Sequence, residues 1–329
     1  MEPRLSLALR RRRGQSVPAE ALAAETRLAP TALVAAIDDL SRLGFVVESH
    51  PMLGFRLVSA PEPLMEAEVA CDLAVSRVGR RVHCVGAVGS TNDLAWNEAA
   101  RGRAQADGLA VFAEHQSAGR GRRGSRWIAP PHSSVLCSVV LWVPDAPSQG
   151  AVLTRAAAMA VAEAIEDQCR LDVGIRWPND LVVDDRKVAG ILVESRPASG
   201  GPGPIVIGAG INCTQAPEAF PPELRPHAAS LAMLGEEVDR TLLARAFLER
   251  LDRAIGRMDD ASGIAELRRR ACQRCRTLGR RIAVVEGGET CAGEVVDLDP
   301  DYGLVLRLAE GGVRRFPAMS THVVSPAGP

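Results

Sequence analysis

Lysine occurs only once in this chain, and its position gives the first indication of chemistry. Of the 39 Lys and Arg residues, Lys187 alone is lysine. Arginine carries a planar, permanently charged guanidinium group, whereas lysine presents a compact ammonium that can approach a single oxygen atom. Lys187 lies between two apolar runs, which predicts a strand. A surface lysine left by chance in an arginine-biased composition is the competing interpretation.

A glycine- and arginine-rich segment is suited to bind phosphate. Residues 119–124 read Gly-Arg-Gly-Arg-Arg-Gly, which matches the GxGxxG consensus of dinucleotide-binding sites. Those sites need a helix after the motif, and Pro130 and Pro131 exclude a helix of useful length here. Glycine lets backbone N–H groups approach a phosphate, and arginine grips it in bidentate fashion. The segment predicts a flexible loop that closes over an anion, although a solvated basic turn has the same composition.

Polar side chains suited to a small ligand occur in three more clusters. Residues 90–93 read Ser-Thr-Asn-Asp after a predicted strand, where helix capping is an equally good explanation. Gln116 offers both a donor and an acceptor to an amide or urea group. Residues 176–180 read Arg-Trp-Pro-Asn-Asp, which could be only a turn before a strand. Asn212 ends the segment Gly-Ala-Gly-Ile-Asn and could contact a base or ribose.

The bulk properties are those of an ordinary globular protein. The chain has 329 residues and a net charge of -1, which argues against indiscriminate binding to nucleic acid or anionic membrane. This length predicts two or three domains. The N-terminus lacks the apolar core of a signal peptide, and no run approaches the roughly 18 apolar residues of a membrane span, so we expect a cytoplasmic protein. Cys272 and Cys275 lack the second pair that a zinc site needs, so no metal site is predicted.

The elements that would position these residues predict three domains. Residues 1–62 read as three helices and a β-hairpin, which is typical of a winged helix-turn-helix. Residues 63–276 mix strands and helices without regular βαβ alternation, which favours an α+β fold. Residues 277–329 change to short β segments, the last at 321–325, and predict a small SH3-like barrel. In the middle domain, the predicted strands are 80–88, 134–143, 174–177, 181–183, 188–194 and 205–208, the predicted helix is 151–169, and 240–274 is a predicted helical stretch.

In this order, five segments resemble the motifs of the biotin protein ligases. They read Ser-Thr-Asn from 90, Gly-Arg-Gly-Arg-Arg-Gly from 119, Trp-Pro-Asn-Asp from 177, Lys-Val-Ala-Gly-Ile-Leu-Val-Glu from 187 and Gly-Ala-Gly-Ile-Asn from 208. The predicted winged helix and barrel are similar to those of the bifunctional type, in which the ligase also represses biotin genes. The resemblance covers essentially the whole chain.

The resemblance implies a catalytic domain related to class II aminoacyl-tRNA synthetases and a reaction in two steps. Biotin and ATP would give biotinyl-5′-adenylate and pyrophosphate, and biotin would then pass to a lysine of a biotin carboxyl carrier protein. Mg²⁺, held mainly by the ATP phosphates, would neutralise the departing pyrophosphate. The implied partners are the carrier protein, operator DNA for a repressor, and a second copy of the chain in a homodimer.

The resemblance also implies roles for individual residues. Biotin would be held by Ser90, Thr91, Asn92, Gln116, Arg120, Gly121 and Gly190. ATP and the adenylate would be held by Arg120, Gly121, Arg122, Arg123, Trp127, Arg176, Asn179, Lys187 and Asn212. The catalytic residues would be Lys187, Arg176 and Arg122, because fixed cations at the α-phosphate stabilise the transition state more than the ground state.

Two departures from the family pattern affect this assignment. The family usually has lysine where this chain has Arg176, and the segment from Lys187 to Gly190 resembles the Lys-x-Ser-Gly segment whose lysine contacts phosphate in lipoate ligases. We therefore hypothesise that Lys187 carries the central phosphate contact and that Arg176 assists it. The family often closes with Gly-Asp/Glu-Val-Ser-Leu-Arg, whereas residues 319–324 read Met-Ser-Thr-His-Val-Val, which predicts weaker ATP affinity.

The predicted recognition helix leaves DNA binding open. Thr31 and Arg42 are the candidate DNA contacts, but Arg42 is the only basic residue on the exposed face, and Asp38 and Asp39 would face the phosphate backbone unfavourably. A biotin-sensing transcriptional regulator with weak ligase activity is therefore one alternative function. The other is a lipoate or octanoate ligase. Ser90, Thr91, Gln116 and the glycine–arginine loop argue against it, because they suit a ureido head group.

Overall fold

The computed structural model describes residues 1–144, 146–196, 203–299 and 301–324. Within these residues the buried apolar side chains form separate cores: one among the N-terminal helices, one on each face of a central sheet, and one among the C-terminal strands. This mixture of helices and sheets confirms the predicted α+β class. None of the helices in the described residues is both long and apolar enough to cross a membrane.

The N-terminal unit contains three helices and a three-stranded sheet. Its elements are α1 (Pro3–Arg11), β1 (Ser16–Val17), α2 (Ala19–Thr26), α3 (Pro30–Arg42), β2 (Val46–His50) and β3 (Gly54–Ser59). Leu33, Ile37 and Leu40 recur on one face of α3 at the helical period and are buried in the core of this unit. Strand β3 lies between β1 and β2 and pairs antiparallel with both. The predicted helices and hairpin are confirmed, and the winged helix-turn-helix assignment stays a prediction.

The central unit is built on a seven-stranded sheet. Its strands are β4 (Arg81–Val88), β5 (Leu109–Gln116), β6 (Ser134–Val143), β7 (Gly174–Arg176), β8 (Asp180–Val183), β9 (Arg186–Ser195) and β10 (Gly203–Asn212). Its helices are α4 (Glu66–Ala70), α5 (Thr91–Ala99), α6 (Arg103–Ala106), α7 (Ala146–Glu166), α8 (Arg240–Gly256) and α9 (Ala261–Arg274). The sheet order is β4-β5-β6-β10-β9-β8-β7; β4 and β5 pair in parallel, and the other neighbours pair antiparallel.

Helices cover both faces of this sheet. On β6, Val139 and Leu141 join the core that includes α7 and α8, whereas Val140 joins the core that includes α5. Because strand side chains alternate between faces, apolar residues at successive positions need cover on both sides. The helix α5 therefore lies on the opposite face of the sheet from α7 and α8.

One strand of the central unit was not predicted. Strand β5 was missed, because a short apolar run such as 109–113 suits a strand or a buried helix equally well. The helical stretch predicted at 240–274 is confirmed and contains two helices, since α8 ends at Gly256 and α9 begins after a new cap. There the Asp260 carboxylate accepts from the Gly263 N–H at 2.7 Å.

The C-terminal unit is a five-stranded antiparallel sheet. Its strands are β11 (Arg281–Glu286), β12 (Glu289–Leu298), β13 (Leu304–Leu308), β14 (Val313–Phe316) and β15 (His322–Val324), in the order β14-β13-β12-β11-β15. Within the described residues the outer strands β14 and β15 do not pair, so the sheet is open and the SH3-like barrel stays a prediction. The predicted end of the last strand, and the rest of that domain through 329, lie outside the described residues.

Candidate functional site

One cavity lies on the α5 face of the sheet, bounded by the N-terminus of α5, the loop at 119–127 and strands β9 and β10. Its volume is about 220 Å³. The predicted site residues that line it are Ser90, Thr91, Asn92, Gln116, Arg120, Gly121, Arg122, Trp127, Asn179, Lys187 and Gly190. The fold thus brings most of the separate motifs to one place. Arg122 and Lys187, two of the three cations proposed for phosphate chemistry, share this cavity.

Small residues on the sheet make room for it. Gly190 on β9 lies directly opposite Gly210 on β10, and the Trp127 indole covers both. A Cβ atom at Gly210 would lie 2.6 Å from Trp127 Cε2, and one at Gly190 would lie 3.1 Å from Trp127 Cζ3. Glycine permits this close approach of ring and backbone. The buried Trp127 indole N–H has no hydrogen-bond partner among the described residues, so this residue of the cavity lining carries a donor without an acceptor.

The N-terminal end of α5 supplies a connected polar network. Gln116 Oε1 accepts from the Thr91 backbone N–H at 2.7 Å and from the Thr91 hydroxyl at 3.0 Å. Ser138 Oγ lies 2.7 Å from Thr91 Oγ1 and 2.6 Å from Asn92 Oδ1. Ser90 occupies the N-cap position, yet its side chain makes no capping hydrogen bond. Simple capping therefore does not account for this cluster, which holds several polar atoms at the end of the cavity.

Glu194 is the centre of a second network, at the side of the cavity. Its carboxylate accepts from Asn92 Nδ2 at 2.9 Å and from Trp96 Nε1 at 3.1 Å, both on α5. It also pairs with Arg120 in bidentate fashion, at 3.1 Å for each bond. Burial alone would raise the pKa of Glu194, but the bonds from Arg120, Asn92 and Trp96 outweigh it and lower the pKa below its ordinary value. Arg120 is further paired with Asp93 at 2.8 Å, so the start of the loop is anchored to α5 and β9.

Lys187 lies at the opposite side of the cavity. Its Nζ is 2.6 Å from Asp180 Oδ1 and 5.5 Å from the centre of a Trp127 ring. The adjacent Asn179 is fixed by its side-chain N–H, which donates to the Ile191 carbonyl at 2.8 Å. The ammonium is therefore held between a carboxylate and an aromatic face, in reach of any anion that enters.

Arg122 connects the loop to the C-terminal unit. Its Nη2 donates to the Ala318 carbonyl at 2.6 Å and lies 3.3 Å from the Thr321 carbonyl. Burial lowers the pKa of Arg122 below its ordinary value, although the nearby Asp180 opposes that shift. The segment before β15 thus fixes one wall of the cavity.

Several predicted residues lie outside the cavity lining. Arg176 turns its guanidinium away and donates to the Asp185 carbonyl. Asn212 is buried and donates to the Ala229 carbonyl at 3.1 Å, so it supports the backbone behind Lys187. Arg123 is at a left-handed backbone position in the loop (φ 57°) and does not line the cavity. Their roles in ligand binding stay predictions.

The two candidate DNA contacts lie apart from this cavity, on α3 of the N-terminal unit. Thr31 and Arg42 are both exposed. The Arg42 guanidinium is paired with Asp39 on the same helix, so part of its charge is already compensated.

Three residues join these networks without having been predicted: Glu194, Asp180 and Ser138. Glu194 is the last residue of the motif that begins at Lys187, and Asp180 is the last residue of the Trp-Pro-Asn-Asp motif. Their positions within these motifs could therefore have identified both as site residues. Ser138 lies within an apolar strand and gave none.

Comparison with known proteins assigns the chain to a family. The profile of the Biotin/lipoate A/B protein ligase family matches residues 86–212. The biotin--[acetyl-CoA-carboxylase] ligase of Mycobacterium tuberculosis is 36% identical over 234 residues, which are 69% of this chain and 83% of that protein. The chain therefore belongs to the biotin/lipoate A/B protein ligase family, and the resemblance seen in its motifs is confirmed.

Two further similarities are to a second relative and to a solved structure. The bifunctional ligase/repressor BirA of Bacillus subtilis is 35% identical over 212 residues, and the match spans 64% of this chain and 64% of that relative. A solved structure of the biotin protein ligase from Aquifex aeolicus, in complex with biotin and ATP, has a TM-score of 0.63 at 22% identity. It covers 75% of this chain and 99% of the Aquifex chain. At that identity the similarity shows a shared fold.

Proposed function

We propose that this protein is an ATP-dependent biotin–protein ligase. The biotin carboxylate attacks the α-phosphorus of ATP, pyrophosphate leaves, and biotinyl-5′-adenylate forms. The amine of an acceptor lysine on a biotin carboxyl carrier protein then attacks the acyl carbon, and AMP leaves. The observation that carries this proposal is that a polar amide network, an aromatic cover and the cations Arg122 and Lys187 line one cavity.

The two ends of the cavity differ in chemistry, and this difference supports a separate position for each substrate. The Thr91–Gln116 network offers the donors and acceptors that a ureido ring needs. We place biotin there, with Arg120 closing over it. Trp127 covers the other end, where its unpartnered indole N–H suits an acceptor on the nucleotide. Lys187 and Arg122 lie between them and would stabilise charge that develops at the α-phosphate.

Further parts of the proposal extend to the whole chain. Mg²⁺ would be bound mainly by the ATP phosphates. We propose domain boundaries at 1–62, 63–276 and 277–329, with a winged helix-turn-helix first and an SH3-like unit last. We also propose a cytoplasmic location and a homodimer.

Incubation with biotin, ATP, Mg²⁺ and a purified carrier domain tests the activity. We expect pyrophosphate release that depends on biotin, followed by one biotin on each carrier domain, measured by intact mass. Lipoate and octanoate should not compete at equal concentration. Carrier labelling by lipoate in preference to biotin would instead support the lipoate-type alternative, and adenylate formation without transfer would support a biotin-sensing regulator.

DNA binding is the second candidate function, favoured by the three-helix unit with its hairpin. A gel-shift assay on the gene's own upstream region tests it. A repressor should retard that DNA in preference to unrelated DNA, with retardation that weakens as salt rises. If both DNAs were retarded equally, or neither were retarded, the N-terminal unit would not bind DNA in a sequence-specific way.

A further inference from the structure

A second cavity lies between the N-terminal unit and the central unit, away from the proposed active site. It is bordered by α1, by the end of α2, by the segment after α4, and by α8. The residues that line it are Arg4, Leu7, Arg11, Glu25, Arg27, Cys71, Asp72 and Arg245. Four arginines therefore line one space, two from α1 and one each from the end of α2 and from α8, together with two carboxylates.

Both carboxylates already have partners. Asp72 accepts from Arg4 through Nε at 2.7 Å and Nη2 at 3.3 Å. Glu25 is shared between Arg11 at 3.3 Å and Arg12 at 2.7 Å. The acidic groups of the cavity therefore pair with Arg4 and Arg11, and neither forms an ion pair with Arg27 or Arg245, although Glu249 and Asp72 lie near enough to Arg245 to offset part of its charge.

Arg245 is the less accessible of these two. It is only 6% exposed, and its Nη1 donates to the backbone carbonyls of Glu68 at 2.7 Å and Val69 at 3.0 Å. No carboxylate among the described residues forms an ion pair with it. Burial lowers the pKa of Arg245, as expected for a desolvated cation. A buried charge is costly unless an opposite charge accompanies it.

Arg27 is the second lining arginine that lacks a paired carboxylate among the described residues. It ends α2 in the left-handed region (φ 59°) and is exposed. It forms no ion pair within the part of the chain that the structure describes. The two arginines approach the same space from α2 and α8, so an anion between them would contact both units at once.

We propose that this cavity is a binding site for a small phosphate-type anion, such as inorganic phosphate, pyrophosphate or the phosphate groups of a nucleotide. Guanidinium groups bind phosphate oxygens in bidentate fashion, and several of them can surround a tetrahedral anion. The formal charges of Arg27 and Arg245 match those of a dianion. The bound anion would join α1 and α2 to α8, and would strengthen the contact between the N-terminal and central units.

Titration calorimetry on the full chain tests this site, with inorganic phosphate and with pyrophosphate as separate probes. Arg27→Gln should weaken the affinity of this site by about tenfold, the loss expected for one charge-assisted contact. Arg245→Gln should weaken it at least as much. Arg13→Gln is the matched control, because Arg13 is an exposed arginine paired with Glu237 and does not line the cavity; it should bind as the unchanged protein does.

The outcomes separate this site from the proposed active site. Anion binding in the catalytic cavity does not involve Arg27, so Arg27→Gln should retain biotin transfer in phosphate-free buffer. Equal affinities in the unchanged protein and Arg27→Gln would overturn the proposal, even if Arg245→Gln failed to fold. Equal binding of acetate at the same ionic strength would overturn the phosphate assignment. If Arg27→Gln altered only the retention of a DNA duplex, the source of the phosphate would be a DNA backbone and not a small anion.

Discussion

Lys187 is held in the cavity by one carboxylate, and this contact determines how the lysine can act. The Asp180 pair places Nζ at the side wall, beside the Trp127 ring. We expect Lys187→Ala to lower the rate of biotin-dependent pyrophosphate release by about 100-fold, the effect of removing one preorganised electrostatic contact. Lys187→Arg should not restore the rate, because the planar guanidinium of arginine cannot reproduce the geometry of the compact lysine ammonium. Arg186→Ala, next to it on β9, is the control, and a near-normal rate for Lys187→Ala would reject the assignment.

Arg176 occupies the position where the family usually has lysine, and its guanidinium lies outside the cavity on the Asp185 carbonyl. We expect Arg176→Lys to keep or raise the rate of adenylate formation, because a flexible ammonium can turn towards the phosphate without needing the planar geometry of arginine. The same pyrophosphate assay measures this. A clear loss of rate would mean that the Arg176 guanidinium has a role that a lysine ammonium cannot replace.

Glu194 should make the stability of the protein depend on pH. The pKa of its carboxyl is lowered in the folded state, so its contribution is fully present above the ordinary value of 4.5 and is lost as the pH falls through the lowered value. We expect Glu194→Gln to reduce the free energy of unfolding at pH 7 and to flatten its decline in acid. Urea unfolding from pH 7 to pH 3 measures both effects.

A control distinguishes this effect from the general loss of a negative charge. Glu218 is an exposed carboxylate on a short 3-10 turn and lies outside both networks. Glu218→Gln should leave the pH dependence unchanged. If the two variants had the same unfolding profiles, the hydrogen bonds from Asn92, Trp96 and Arg120 would have no net effect on stability.

At the scale of elements, the cavity exists because two neighbouring strands carry glycine at paired positions. Gly210→Ala would place a methyl group 2.6 Å from the Trp127 ring, which must then move. We expect a marked rise in the KM for ATP with little change in the melting temperature, because the ring is at the surface of the cavity. Steady-state kinetics and thermal unfolding measure the two quantities. Gly86→Ala on β4 is the control, since a Cβ there meets no atom within 4 Å.

The elements themselves were largely predictable, and their contacts were not. Strands β6, β9 and β10 follow from apolar runs, and the stripe of α3 follows from its helical period. The partners of Glu194 are separated from it by 102, 98 and 74 positions in the sequence. No local pattern encodes such contacts, because they arise only when α5, the loop and β9 pack together. The same reason explains why Arg122 gave no sign of its contact with the C-terminal segment.

At the scale of the whole molecule, a buried ion pair joins the N-terminal unit to the central unit. Arg10 on α1 donates to both oxygens of Glu68, at 2.8 and 3.0 Å, and to Asp239 at 2.9 Å. The side chain of Glu68 is fully buried, and that of Arg10 is 5% exposed. Asp239 also caps α8 by accepting from the Leu242 N–H. The N-terminal helices are therefore fixed to the central unit by more than the intervening chain.

Removing one partner of this network should be much more damaging than removing both. Arg10→Met leaves the buried Glu68 carboxylate uncompensated, which costs about 3–5 kcal/mol. Arg10→Met combined with Glu68→Leu should regain much of that loss, because a buried ion pair can be replaced by apolar side chains at little cost. Urea unfolding measures stability, and limited proteolysis within 60–66 measures release of the N-terminal unit. Arg13→Met removes only an exposed pair and should change stability by less than about 1 kcal/mol. If the double variant were no more stable than Arg10→Met, the geometry of the ion pair itself, and not the avoidance of an unpaired charge, would hold the two units together.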